Sequence, residues 1–295
     1  MTKFVELSIQ GVSLGFIYAL IALGFVVIYK STEVVNFAHG SLVLLGGYVI
    51  GVTHQQFGFW VAVLLGISAT GVAALLIEVV FIRRLRGDVN SLAILTIGVD
   101  ILLLTELTRR IGSQVLSTGD PWGSKLVTIA SFTVPQSRIA AIVVAIVLMG
   151  LFFAAYKFSS WGVATRAAAE DGEAAALMGI RLGRVSVLSW VIAGVLAAIA
   201  AIFLVAFPTP GLTNTTGLIA FRAFPAAILG GLDSAGGALV GGVVVGLAET
   251  LTSGYEDKLP FLGGGFGSIM PYIVMSLVLL WRPSGLFGTK EIARV

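Results

Sequence analysis

The chain has 295 residues, of which 57% are hydrophobic and only 11% charged, and its mean hydropathy is +1.02. Soluble domains carry about 25% charged residues, so a chain this poor in charge cannot cover itself with a wetted surface, and lipid is its natural solvent. The net charge of +3 is scattered along the chain, which excludes a nucleic-acid footprint, and the lack of cysteine excludes disulfides, thiolate metal sites and cysteine nucleophiles.

A helix needs about 20 apolar residues to cross the hydrocarbon core. Residues 1–10 hold Lys3 and Glu6 and lead into an apolar run longer than a signal peptide's core. No small-residue cleavage pattern follows, which predicts a retained first span over residues 11–29. Further spans are predicted over 34–52, 59–82, 92–107, 139–158, 185–207, 218–232, 238–251 and 269–281. The fold class is therefore all-α: a single polytopic transmembrane bundle over residues 1–295, with eight or nine crossings. The two runs 218–232 and 238–251 are short, and the glycines between them mark either a turn or a broken helix.

Basic residues assign the sides. Lys30, Arg83, Arg84, Arg86, Lys157, Arg166, Arg181, Arg184, Arg282, Lys290 and Arg294 fall on one side, eleven of the eighteen Lys and Arg. Lys3, Arg109, Arg110, Lys125, Arg138, Arg222 and Lys258 fall on the other, so the bias predicts a cytoplasmic C-terminus. Segment 109–138 is then extracytoplasmic. It contains Gly119, Pro121, Gly123 and Pro135, with a short β-rich or capping element predicted over 127–134.

Thirty-seven glycines suit a bilayer, where small residues let helix backbones pack closely. Four-residue spacing recurs at Gly11/Gly15, Gly47/Gly51, Gly237/Gly241, Gly242/Gly246 and Gly263/Gly267, and predicts a tightly packed bundle.

The loop 159–184 is the most informative polar stretch. Asp171 suits an N-cap, Glu173 falls in the first turn where the helix dipole favours an anion, and Gly179 suits a left-handed end. These predict a short, separately capped helix over 171–179, with Ala174, Ala175, Leu177 and Met178 available for packing. It serves either as a rigid lever that docks on another protein or as a connector resting on the lipid surface.

The loop resembles that of permeases of the branched-chain amino acid ABC importer family, in which A-x-x-x-E-A-A-x-L-x-G-I contacts the ATPase subunits. The matching residues are Arg166, Ala167, Asp171, Glu173, Ala174, Ala175, Leu177, Gly179 and Ile180, with Gly172 in place of a bulkier residue. Other motifs are similar to the family's in the same order. They are SLGFIYALIALGFVVIY from Ser13, NFAHG from Asn36, IEVVFIRRLRG from Ile77, Thr96-Ile97-Gly98, FRAFPAAILGGLDSAGGALVGG from Phe221 and WRPSGLFG from Trp281. Val79, Arg84, Asp233 and Gly236 depart from the family pattern. The likeness covers nearly everything except 109–138.

The resemblance implies a permease that pairs with a similar or identical permease, two cytoplasmic ATPases and an extracytoplasmic solute-binding protein in a bacterial inner membrane. It assigns ATPase coupling to Arg166, Glu170, Asp171, Glu173, Ala174, Leu177, Met178 and Gly179. Branched-chain amino acids are the family's usual cargo, and urea, short amides and small carboxylates are carried by close relatives. No GxxxxGK(S/T) phosphate loop occurs, so ATP and Mg belong to the partner subunits, and this chain is expected to hold no cofactor, metal or catalytic residue.

Polar residues within spans turn inward, pair or line a wet path. Asn36, His39, Asp100, Asn214 and Arg222 are the candidates for the translocation pathway. Asn36 and His39, three apart, are expected on one face at the inner end of the second span, either meeting the solute or tying helices together. Arg222, preceded by Thr213, Asn214, Thr215 and Thr216, is expected at an outer helix end, where it suits either a carboxylate or snorkelling to the interface. Glu78 is expected to pair with the Arg83–Arg86 cluster, and Glu106 with Arg110 by i,i+4 spacing. Asp100 has no evident partner in the sequence. Two rival readings are a secondary transporter with a proton on Asp100 or His39, and a channel or scaffold without a pump.

Overall fold

The computed structural model describes residues 2–85, 89–119, 121–122, 125–129, 132–206, 211–258 and 264–289. Arg86, Gly87, Gly123, Gly263, Lys290 and Arg294, named above, lie outside them.

Helix α1 (Thr2–Thr32) is apolar on every side, and a helix without a polar face is stable only when surrounded. It forms the axis of the bundle, with nearly every residue from Ile17 to Ile28 buried. Helices α2 (His39–Phe57), α3 (Phe59–Leu76), α4 (Val89–Ile111) and α5 (Gln136–Phe158) follow, then two short helices, α6 (Ser160–Glu170) and α7 (Gly172–Leu177). After these come α8 (Leu182–Leu204), α9 (Thr216–Phe221), α10 (Phe224–Gly230), α11 (Ala235–Gly254) and α12 (Met270–Trp281). α1 packs against α11 on one side and α8 on another, with α5 and α10 completing the ring. Every predicted span overlaps helix, with departures at 34–38 and within 218–232. Six helices are long and apolar enough to cross a membrane, and Thr216–Gly230 and Phe266–Trp281 are shorter apolar segments.

Glycine explains how α1 and α11 come so close. A Cβ on Gly15 would lie 2.6 Å from Val243 Cα, one on Gly242 2.6 Å from Ala19 N, and one on Gly246 2.3 Å from Gly15 N. Gly237 and Gly241 do the same for α10 and α11: their Cβ atoms would lie 2.1 Å from the carbonyl oxygens of Gly230 and Ala226. The outer helices instead show apolar faces, with Ile94, Ile101, Leu102, Val143, Ile146, Val147 and Leu151 exposed, as lipid contact requires.

The structure corrects two expectations. The second span starts at His39 rather than residue 34, because the Asn36 side chain accepts from Ala38 N at 3.0 Å, a local bond that competes with helix. Asn36 and His39 therefore do not share a helix face. The predicted span 218–232 is itself broken, at Arg222 and Ala223 between α9 and α10. Of the two readings of the glycines that follow, the turn holds: Gly231 (φ +102°) leads the chain into α11. Glu78, expected to pair with the Arg83–Arg86 cluster, lies fully buried in a π-helical turn, Ile77–Phe81, just ahead of Arg83 and Arg84, and Arg86 lies outside the described residues.

In the 109–138 segment, β1 (Leu126–Ile129) and β2 (Phe132–Pro135) pair antiparallel, as the predicted β element requires. Leu116 exchanges backbone hydrogen bonds with Leu212 at 2.9 and 2.8 Å, docking this segment onto the approach to α9.

Candidate functional site

Two polar regions stand out. The first is the α6–α7 pair, at the end of the bundle that carries Lys30, Arg181 and Arg184. Ser159 caps α6 by accepting from Gly162 N at 3.1 Å, and Asp171 caps α7 by accepting from Ala174 N at 2.9 Å. α7 ends with Ile180 N donating to Ala175 O and Gly179 N to Ala176 O, both at 3.0 Å, and Gly179 at φ +88°. That paired pattern is a Schellman motif, so both ends of this six-residue helix are fixed by its own sequence.

α7 buries Ala175 and leaves Leu177 and Met178 at 89% and 84% exposure, among the most exposed large apolar side chains described. Glu170, Glu173 and Ala174 are also exposed. Arg166 has a different position from the other coupling candidates. It donates to the Tyr156 and Lys157 carbonyls and its guanidinium lies 5.2 Å from the Tyr156 ring centroid, so it fastens α6 to the end of α5. Lys30 of α1 lies 5.5 Å from the same ring. The Tyr156 ring thus lies within cation–π distance of both Arg166 of α6 and Lys30 of α1. The glycine at 172 is not demanded by space, since a Cβ there would meet only Leu182 Cδ1, at 4.0 Å.

The second region lies inside the bundle. The non-helical segment 34–38 is held by Thr96 of α4, which accepts from Phe37 N at 3.2 Å. Four residues on, Ser41 Oγ donates to Asp100 Oδ1 at 2.5 Å. These bonds clip α2 to α4. Asp100 and Ser41 line a cavity of about 230 Å³ with Phe37, Ile97, Leu104 and Phe221. His39 is fully buried behind the aromatic layer, 4.7 Å edge-on from Phe25, and its ring fills the notch left by Gly24. Asn214 lies in the turn before α9, beside the Thr213, Thr215 and Thr216 hydroxyl cluster.

Arg222 is partly buried and has a partner within the chain. Its guanidinium pairs with Glu249 at 2.7 Å, and Glu249 also accepts from Tyr18 at 2.7 Å. Glu106 pairs with Arg110 at 2.6 Å, as its spacing predicts, and with Arg109 at 2.9 Å. The structure thus places Asp100 on a cavity, buries Asn36 and His39, and pairs Arg222 with Glu249. Sequence reasoning missed Ser41, Tyr18 and Glu249 as partners; the signal available was that charges within apolar runs must be neutralised. A larger cavity, about 610 Å³, opens at the basic end between Tyr29, Lys30, Glu33, Ala169, Asp233 and Thr289.

A multi-pass helical bundle with lipid-compatible outer faces, buried polar clips and an exposed capped helix at its basic end defines a membrane permease. Residues 7–280 match the family described as branched-chain amino acid transport system / permease component, and the chain belongs to that family. It is 35% identical to the high-affinity branched-chain amino acid transport system permease protein LivH of Salmonella typhimurium, over 99% of this chain and 98% of that one. Identity to the Escherichia coli K12 protein of the same name is 34%, with the same coverage. The probable branched-chain amino acid transport permease protein LivH of Methanocaldococcus jannaschii is 31% identical, over 94% and 90% of the two chains. No solved structure matches.

Proposed function

We propose that this chain is the membrane-spanning permease subunit of an ATP-binding cassette importer for amino acids, branched-chain ones first, and has no catalytic site of its own. It works with a second, homologous or identical permease, two cytoplasmic ATPases that hold ATP and Mg, and an extracytoplasmic binding protein, in the plasma (inner) membrane. The observation that carries this reading is the exposed Leu177–Met178 pair on a helix capped at both ends. An apolar pair on a rigid helix suits insertion into a groove of another subunit. The amino-acid cargo is supported by the names of the relatives.

ATP-driven closure of the ATPase pair moves α7, then α6. The Tyr156 contact passes the displacement to Lys30 and α1, around which the other helices pack. Alternating access then requires two arrangements of the bundle that ATP and the loaded binding protein bias differently.

The test is the double variant Glu173→Arg/Leu177→Asp in the complete transporter in liposomes. The expected result is a folded permease that no longer copurifies with the ATPases or stimulates their hydrolysis when loaded binding protein is added. Unchanged stimulation, or uptake by the purified chain without any ATPase, overturns the reading and favours a channel or a secondary transporter.

A further inference from the structure

Asp100 sits at the middle of α4, within a 22-residue apolar span, where an unneutralised carboxylate is costly. Glu249, a buried acid within another span, is answered by a cation of this chain, Arg222. Among the described residues no cation pairs with Asp100, and its partner is the Ser41 hydroxyl at 2.5 Å. An ionised carboxylate offers about four lone-pair directions, of which Ser41 fills one. The group is oriented, half-buried and open to a cavity of about 230 Å³.

The remaining walls fix the chemistry of the missing cation. Phe37 and Phe221 stack with centroids 6.2 Å apart and planes 24° apart, placing aromatic surface beside the carboxylate. Ile97, Leu104 and Leu218 supply aliphatic surface. Gly40 and Gly217 hold the space narrow, since a Cβ on Gly40 would lie 2.8 Å from the Gly217 carbonyl oxygen. One fixed negative charge, aromatic faces and aliphatic walls favour a small cation with an apolar body.

We propose that Asp100, oriented by Ser41, is the subsite for the ammonium group of the transported solute. The proposal rests on the transport reading above and narrows it. A neutral urea or amide gains only a hydrogen bond at this carboxylate, and a solute with a carboxylate alone is repelled. The ammonium of an amino acid gains a charge-assisted bond and gives Asp100 the partner it lacks within the chain.

The test uses the complete transporter in liposomes, with ATP-dependent leucine uptake as the readout. Two competitors are compared: 3-methylbutylamine, which keeps the ammonium and branched chain, and 4-methylpentanoate, which keeps the carboxylate. The amine is expected to inhibit wild-type uptake and the acid is not. Asp100→Asn is expected to assemble with its ATPases, lose about tenfold in uptake and lose its sensitivity to the amine. Ser41→Ala, which leaves the charge but frees its orientation, is the second variant should Asp100→Asn fail to assemble, and it is expected to lose uptake while keeping amine inhibition. Absence of ATP-dependent uptake by the wild type overturns the transport reading itself. Normal wild-type uptake with equal inhibition by amine and acid, or with Asp100→Asn within about twofold of wild type, overturns the ammonium subsite alone.

Discussion

Arg222 and Glu249, 27 residues apart in sequence, meet at 2.7 Å where α9 gives way to α10. Tyr18 of α1 donates to the other carboxylate oxygen, so three helical elements converge on one ion pair. A broken helix leaves backbone groups without intrahelical partners, and only a fixed environment keeps such a break in place within apolar surroundings. The pair therefore holds the discontinuous span against both the axial helix and α11.

Removing one member of this pair strands the other as an uncompensated charge. Arg222→Met and Glu249→Leu are each expected to destabilise the detergent-solubilised protein by about 3–5 kcal/mol. The double variant is expected to recover most of that loss, because an apolar pair needs no counter-charge. Tyr18→Phe removes one hydrogen bond to a charged group and costs about 1.5–3 kcal/mol. Thermal unfolding of the four proteins checks this, and additive losses in the double variant would contradict a direct pair.

Much of the architecture is legible from local signals. Span lengths, the Asp171 cap, the Gly179 end and the Glu106–Arg110 pair all arise from residues within a few positions of one another, where spacing determines geometry. The pairing of Arg222 with Glu249 and of Ser41 with Asp100 joins residues 27 and 59 apart, and no periodicity encodes which buried acid meets which donor. Span 34–52 fails at its start for a related reason. Hydropathy reads residues 34–38 as helix, whereas the Asn36 side chain captures a backbone amide and Thr96, from a different helix, holds the non-helical chain. The gap between α9 and α10 has a local cause, because Pro225 has no N–H to return to Phe221 and its ring crowds that carbonyl, so the run breaks ahead of it and restarts with the proline in the first turn of α10.

The glycine seam between α1 and α11 has no slack. A methyl group on Gly246 would press on the backbone of Gly15, which cannot rotate away, so Gly246→Ala is expected to reduce folded yield and lower the melting temperature sharply. Gly150 of α5 has nothing within 4 Å of its hypothetical Cβ. Gly150→Ala is therefore expected to be neutral or to stabilise by up to about 1 kcal/mol, through the better helix propensity of alanine. Fluorescence-detected size-exclusion chromatography after a temperature series separates the two, and equal behaviour would mean that the seam is looser than its distances imply.

His39 and Gly24 form a lock that can be tested from both sides. The imidazole is fully buried beside Phe25, and a Cβ on Gly24 would lie 2.4 Å from Nε2 and 2.5 Å from Cε1. Gly24→Ala is expected to destabilise by about 1–3 kcal/mol through overpacking. His39→Ala leaves a cavity between α1 and α2, with a loss of about 2 kcal/mol or more. Combined, the new methyl enters the space the ring vacated, so the double variant is expected to be more stable than the sum of the single losses predicts, with a coupling of at least about 1 kcal/mol. Uptake measured on the same four proteins tells whether the ring also meets the solute. The imidazole is fully buried and is not among the residues lining the Asp100 cavity, so uptake is expected to follow stability, and Gly24→Ala/His39→Ala is expected to transport better than His39→Ala alone. A double variant that refolds fully yet stays inactive would give the imidazole a place on the path.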